Sequence, residues 1–81
     1  MRNMWSVYVL KCSDGHSYVG CTENIEDRMS RHRQGHVPAT ASRLPAELIT
    51  TINFENKYKA FAFEKYLKSG SGRAFMKKHF T

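Results

Sequence analysis

The sequence predicts a small mixed α/β domain of the α+β kind, with a three-stranded sheet flanked by helices in the order β-β-α-β-α-α. Three observations carry this. Two short apolar runs, Val7 to Leu10 and Tyr18 to Gly20, bracket the turn residues Ser13, Asp14 and Gly15, which reads as a β-hairpin. The stretch after it begins acidic and ends basic, the charge order that suits a helix dipole. The run ELITTINF, from Glu47 to Phe54, is rich in β-branched residues and supplies a third strand before a second helical pattern.

The first strand is expected from Trp5 to Cys12 and the second from His16 to Cys21. Their register depends on the turn. A two-residue Asp14-Gly15 turn pairs Leu10 with Val19 and sends Tyr8 and Tyr18 to opposite faces. A three-residue Ser13-Asp14-Gly15 loop, with Gly15 left-handed, pairs Cys12 with His16 and Leu10 with Tyr18. Tyr8 and Tyr18 are then diagonal neighbours on one face. We take the second register, which also puts Cys12 and Cys21 on opposite sides.

A helix is expected from Asn24 to Gln34. Asn24 or Thr22 is its N-cap, Glu23, Glu26 and Asp27 supply early negative charge, and Gly35 follows as the stop. Ile25, Met29 and His32 form one stripe, with Arg28 at its border one turn from His32. His36 to Pro45 reads as a loop because Pro38 and Pro45 disfavour regular structure. In the third strand Leu48, Thr50, Ile52 and Phe54 are expected on one face and Ile49, Thr51 and Asn53 on the other. The second helix runs from Lys57 to Lys68, burying Ala60, Phe63, Leu67 and Phe61, with Glu64 bordering that stripe. Ser69-Gly70-Ser71-Gly72 is expected to break it before a short amphipathic tail, Arg73 to Phe80.

At 81 residues the chain makes one domain, 1–81, and its ten aromatic residues are too many for a disordered chain. No apolar run approaches the ~18 residues a membrane span needs, and the N-terminus shows no signal-peptide pattern, so a cytoplasmic location is expected. Thirteen Lys and Arg against seven Asp and Glu, a formal charge of +6, favour a polyanionic partner such as nucleic acid. The two cysteines fit neither a disulfide framework nor, with His16, a zinc-site spacing.

Tyr8, Tyr18, Arg28, His32 and Glu64 are the residues whose chemistry stands out, if they converge on one face of the sheet. A phenol serves as a base when neighbours lower its pKa from about 10. An arginine forks onto a phosphate, and a carboxylate holds Mg²⁺ together with water. These are the parts for phosphodiester hydrolysis.

The order of these pieces resembles the GIY-YIG nuclease family. Ser6-Val7-Tyr8 and, ten residues on from Tyr8, Tyr18-Val19-Gly20 are similar to the paired signature. Thr22, Asn24, Arg28 and His32 match the helix that follows it. Arg43-Leu44-Pro45 with Glu47-Leu48 resembles the loop and third strand of small bacterial members. Ala60, Glu64, Leu67 and Lys68 match the A-x-x-x-E-x-x-L-K helix.

The resemblance implies a three-stranded antiparallel sheet flanked by helices and Mg²⁺-dependent cleavage of duplex or branched DNA, with Mn²⁺ able to substitute. Tyr8 would act as base and Tyr18 would position water or phosphate, although family members leave that division open. Arg28 would bind the scissile phosphate, His32 would support base or phosphate, and Glu64 would be the sole protein ligand to one Mg²⁺. Gly20 would form the site floor. Arg31, Arg33, Arg43, Lys68 and Arg73 are candidates for nucleic-acid contact. The expected role is a structure-directed or weakly sequence-specific endonuclease, in a setting such as DNA repair, with any sequence preference borrowed from a protein partner.

The chain also departs from the family pattern. Ser6 replaces the name-giving glycine, Cys21 stands where some family nucleases carry lysine, and no asparagine follows Glu64 in the last helix. Slow catalysis, or a need for a partner or a different substrate, is expected on that account. The alternative reading is a non-catalytic nucleic-acid-binding module that keeps the fold.

Overall fold

The computed structural model describes residues 4–80. It contains β1 (Trp5–Lys11), β2 (Ser17–Thr22), α1 (Ile25–Arg33), α2 (Pro38–Ala41), β3 (Glu47–Phe54), α3 (Lys57–Leu67) and α4 (Gly70–His79). The strands form one antiparallel sheet in the order β2-β1-β3. β1 is therefore paired on both edges and covered on both faces. Its unbroken run Val7, Tyr8, Val9, Leu10 has no exposed surface, the pattern of a central strand rather than an alternating one.

The hairpin adopts the three-residue loop. Cys12 N–H donates to the His16 carbonyl at 2.9 Å, Gly15 N–H donates to the Cys12 carbonyl at 3.0 Å, and Gly15 sits at φ 84°. A side chain is disfavoured in that left-handed region, and glycine enters it freely. Leu10 accordingly pairs with Tyr18 and Tyr8 with Gly20. Both cysteines are free thiols.

Alternation along the sheet then separates two environments. On one face Val7, Val9 and Val19 pack with Ala60 and Leu67 of α3 and Met76 of α4, with Trp5, Cys21, Ile49, Phe54, Phe63, Phe75 and Phe80 partly buried around them. Full burial of each valine, leucine or methionine there contributes roughly 1.5–3 kcal/mol. On the other face Tyr8 and Leu10 lie beneath α1 and α2, whose buried residues are His32 and Thr40.

Asn24 caps α1, its Oδ1 accepting the Asp27 N–H at 3.0 Å, and Thr22 Oγ1 supports the cap by accepting the Asn24 N–H at 3.1 Å. At the far end Gly35 N–H donates to the His32 carbonyl (3.0 Å) and His36 N–H to the Arg31 carbonyl (2.9 Å), a Schellman closure with Gly35 at φ 76°.

Four expectations need correction. The segment 36–45 is not all loop: Pro38 opens the short helix α2, a position where its missing N–H is not needed. Residues 69–72 do not break the chain into a tail. Ser69 Oγ accepts the Gly72 N–H at 3.2 Å and caps α4, which begins at Gly70. Gly72 is required by contact, because a Cβ there would strike the Tyr66 carbonyl and the Leu67 backbone of α3.

The third strand does not alternate throughout. A register shift between Val9 and Leu10 leaves Thr50 opposite Val9 and Leu48 opposite Leu10. Ile49 is the extra residue of that bulge and packs on the valine core, while Leu48 turns to the α1 face. Lastly, Phe61 is 43% exposed, resting edge-on against Trp5 at 5.3 Å instead of being buried. Among the described residues no helix is long and apolar enough to cross a membrane.

Candidate active site

Tyr8 is the centre of the cluster. Strand alternation directs it away from the valine core, and the three-residue loop places Gly20 directly opposite it on β2. A Cβ on Gly20 would overlap the Tyr8 hydroxyl and ring, so the bare glycine is what lets the phenol lie across the sheet. Tyr18 is the diagonal neighbour, with ring centroids 6.2 Å apart. His32, in the last turn of α1, sets its ring edge-on to both tyrosines, at 5.6 Å from Tyr8 and 5.4 Å from Tyr18.

The polar contacts form a chain. His32 Nε2 lies 2.9 Å from the Tyr8 hydroxyl, and His32 Nδ1 lies 2.7 Å from Thr40 Oγ1. The Thr40 hydroxyl is in turn 3.5 Å from the Val37 carbonyl. Arg28, one helical turn before His32, donates from Nη1 to the Tyr8 hydroxyl at 3.4 Å. Among the described residues every buried side-chain nitrogen and oxygen has a partner. A sealed cluster of this kind holds its side chains in one arrangement.

Burial dominates its electrostatics. It pushes the Tyr8 pKa up to about 12, with the Tyr18 phenol adding to the rise and Arg28, by hydrogen bond and charge, opposing it. Burial and then the Arg28 charge hold His32 below its usual value. Tyr8 and His32 are therefore a neutral phenol and a neutral imidazole at pH 7. Tyr8, expected as the base, has no exposed surface, whereas Tyr18 beside it, expected to position water or phosphate, is half-buried.

Glu64 does not share the face of the tyrosines. It sits on α3, which covers the valine side, and it approaches β2 at Cys21. The Cys21 thiol is raised by burial first and by Glu64 next, and lowered by Arg28, so both charges act at this one residue. β2 is an edge strand, with Arg28 on α1 at one face of the sheet and Glu64 on α3 at the other. The Glu64 carboxylate pairs with Lys68 Nζ at 2.9 Å and lines a concavity of about 240 Å³ with Phe61, Lys65 and Lys68.

Mg²⁺ takes one or two carboxylates and fills the rest of its sphere with water and substrate phosphate. A single, partly exposed glutamate fits that mode. It does not fit an all-protein cage, and among the described residues no three His, Cys, Asp or Glu side chains cluster. The Lys68 partner is no obstacle, since exposed i,i+4 pairs are worth about 0.3–0.5 kcal/mol.

The remaining basic candidates divide. Arg31 and Arg33 are exposed on α1, and Lys68 is occupied by Glu64. Arg43 folds back: Nε and Nη2 donate to the Ala39 carbonyl at 3.2 and 3.0 Å, and Nη1 pairs with Asp14 at 3.5 Å. Arg43 thus ties α2 to the hairpin turn. Arg73 belongs to a separate cleft on α4. Thr40 is the site residue that sequence reasoning missed. Eight positions beyond His32, inside an apparent loop, it carries no pattern that marks it.

Two tyrosines on a hairpin, with a glycine under the first and an arginine and a histidine from the next helix over it, define a nuclease-type domain. Residues 4–79 match the model of the GIY-YIG catalytic domain. The chain belongs to the GIY-YIG domain family. It is 36% identical over 67 residues to UPF0213 protein YsiG of Lactococcus lactis, covering 82% of this chain and 64% of that one. It is 34% identical over 77 residues to UPF0213 protein SAG0778 of Streptococcus agalactiae, covering 90% and 88%. The solution structure of UPF0213 protein BH0048 from Bacillus halodurans superposes with a TM-score of 0.60 at 29% identity, over 93% of this chain and 83% of that chain.

Proposed function

We propose that the chain is a Mg²⁺-dependent DNA endonuclease that hydrolyses phosphodiester bonds with low sequence specificity or by DNA structure. The observation that carries this is the contact of the Tyr8 hydroxyl with both His32 Nε2 and Arg28 Nη1 beside Tyr18. It is a proton path joined to a phosphate-binding cation.

In this reading Tyr18 meets the attacking water. The water proton passes to the Tyr18 oxygen, the Tyr18 proton to Tyr8, and the Tyr8 proton to His32 Nε2. His32 ends as imidazolium, hydroxide forms the new bond to phosphorus, and the bond to the leaving oxygen breaks. The leaving alkoxide takes a proton from solvent water, and His32 returns its proton to the hydroxide so formed. The tautomer follows from Thr40: with its hydroxyl directed to Val37, Thr40 Oγ1 accepts from His32 Nδ1–H and leaves Nε2 free to accept. Moving the proton through neutral donors avoids a bare phenolate at a tyrosine whose pKa is about 12. Arg28 stabilises negative charge as it builds on the phosphate. Glu64 would hold Mg²⁺, or Mn²⁺ in its place, which would supply further positive charge at the phosphate. Exposed Arg31 and Arg33 contact phosphates, which position DNA without reading bases, so a protein partner would supply any sequence preference. Cytoplasmic DNA processing such as repair is the setting this chemistry suits.

The test is a panel of labelled single-strand, duplex, flap and branched DNAs with Mg²⁺, comparing wild type with Glu64→Ala, Arg28→Ala, Tyr8→Phe and Tyr18→Phe. Cleavage lost in each variant is the expected result. Cleavage that survives in all four places the activity elsewhere. The second reading, a binding module without chemistry, is favoured by the uncharged Cys21 and the burial of Tyr8. Mg²⁺-independent binding with no cleavage of any substrate selects it.

A further inference from the structure

The tyrosine cluster leaves the other end of the hairpin unexplained. There a cleft of about 460 Å³ opens between the hairpin and α4, lined by His16, Ser17, Arg73, Met76 and Lys77. Arg73 and Lys77 are one helical turn apart and so lie side by side on α4. Met76, buried between them in sequence, forms an apolar floor. From the hairpin side come the exposed His16 and Ser17, and exposed Lys11 is the cross-strand partner of Ser17. Among the described residues no carboxylate lines the cleft. Asp14, the acid nearest in sequence, is held by the His16 N–H at 3.0 Å and by Arg43.

These groups suit one kind of ligand. A guanidinium, an ammonium and a hydroxyl are the donors that bind phosphate oxygens. Among the described residues no aromatic ring other than the imidazole of His16 lines the cleft, so they offer little surface for stacking a base, and they include no acceptor carboxylate to read a base edge. We propose that this cleft is a second phosphate-binding site that holds the sugar–phosphate backbone of a bound nucleic acid away from the reacting phosphate.

Its position supports a polymer over a free anion. Ser17 and Cys21 are four residues apart on β2, about 13 Å at roughly 3.3 Å per residue. Ser17 shares the α3–α4 side of the sheet with Cys21, the residue at which the Glu64 and Arg28 charges meet. At 3.4 Å of rise per nucleotide, that spacing is about four nucleotides. A backbone with its reacting phosphate at the β2 edge would therefore cross the cleft a few nucleotides away. The cations are also spread along two elements, which matches a chain of phosphates more than one enclosed ion. The proposal deepens the nuclease reading and rests on it only for the identity of the polymer.

The experiment measures binding of a fluorescent 20-bp duplex without divalent metal, as a function of salt. It compares wild type, Arg73→Gln/Lys77→Gln, and the charge-matched control Lys57→Gln/Lys59→Gln on the exposed start of α3. All substituted positions are exposed, and far-UV circular dichroism checks that the fold is kept. Each phosphate contact contributes about 0.9 to the slope of log K against log salt. The cleft variant should lose roughly 1.8 in slope and bind at least tenfold more weakly at low salt, with the control near wild type.

Equal losses in the cleft variant and the control would overturn the proposal, because only net charge would then matter. An unchanged slope in the cleft variant would also overturn it. So would competition by inorganic phosphate at concentrations equal to those of duplex phosphate, which would mark a small-anion site. Failure of the nuclease reading looks different: no cleavage of any DNA with Mg²⁺, while the slope difference between the two variants persists.

Discussion

Replacing Thr40 by valine tests the hidden half of the site. Valine keeps the shape of threonine and removes one oxygen, so packing changes little. What changes is the partner of His32 Nδ1, now 2.7 Å from Thr40 Oγ1 in a fully buried position. A buried donor left without an acceptor costs about 1–3 kcal/mol. For a domain of 60–100 residues each kcal/mol shifts Tm by about 4–8 °C, so a drop between about 4 °C and 24 °C is expected. The imidazole has one escape, which is to move its proton to Nε2. It would then donate to the Tyr8 oxygen and close the path along which Tyr8 passes its proton. Loss of a positioned acid–base group costs about 10²–10⁴ in rate, and DNA cleavage should fall by at least the lower figure. Thr40→Ser keeps the oxygen and should keep the tautomer and the activity. The measurement is ¹⁵N NMR of the His32 ring nitrogens with thermal unfolding of the three proteins. Wild-type His32 carrying its proton on Nε2, or a valine variant with unchanged Tm and ring shifts, would refute the reasoning.

Three further outcomes follow from the same contacts. Gly20→Ala should destabilise by about 1–3 kcal/mol, the usual cost of overpacking, because the added methyl meets the Tyr8 hydroxyl; denaturant unfolding reads it, and wild-type stability would show that the ring is free to move. Titration at 295 nm should show one of the four tyrosines ionising near pH 12, and that step should vanish in Tyr8→Phe. Since the native Tyr8 value lies above the unfolded 10, its contribution to stability is full below pH 10 and declines as pH rises from 10 toward 12. His32 has the opposite sign: its native value lies below the unfolded 6.5, so stability is full above about pH 6.5 and falls as the pH drops below it. Tm between pH 5 and 8 should slope upward in wild type and less steeply in His32→Gln; equal slopes would exclude His32 as the source.

The elements best read from sequence were those whose signals are local. The Ser13-Asp14-Gly15 loop, the Asn24 cap and the Gly35 stop each act within a few residues, and the hairpin register followed from the first of them. Tyr8, Tyr18, Arg28 and His32 meet as that register requires. What the sequence hid depends on contacts between distant segments. Thr40 meets His32 only because α2 folds back over α1, and the bulge at Ile49 breaks an alternation that ELITTINF otherwise follows. Gly72 reads as a helix breaker until the α3 backbone beside it is seen. Glu64 was legible as a residue of interest but not in its placement, because helical spacing does not say which face of the sheet a helix will cover.

The hairpin loop has a consequence for how this chain tolerates length change. Exposed turns are where insertions and deletions are usually accepted, and Ser13, Asp14 and Gly15 are all exposed. Here the pair on which the hairpin closes decides which side of β2 faces α1. If Ser13 were removed and a three-residue loop re-formed from Asp14, Gly15 and His16, Leu10 would pair with Val19. That would turn Val19 and Cys21 toward Arg28 and His32 and drive the Tyr18 phenol into the valine core. A two-residue turn that still closes the Cys12–His16 pair would keep the faces as they are. Substitutions within the loop that keep a glycine third are compatible with the site, and a change in its length is compatible only where the hairpin still closes on the Cys12–His16 pair.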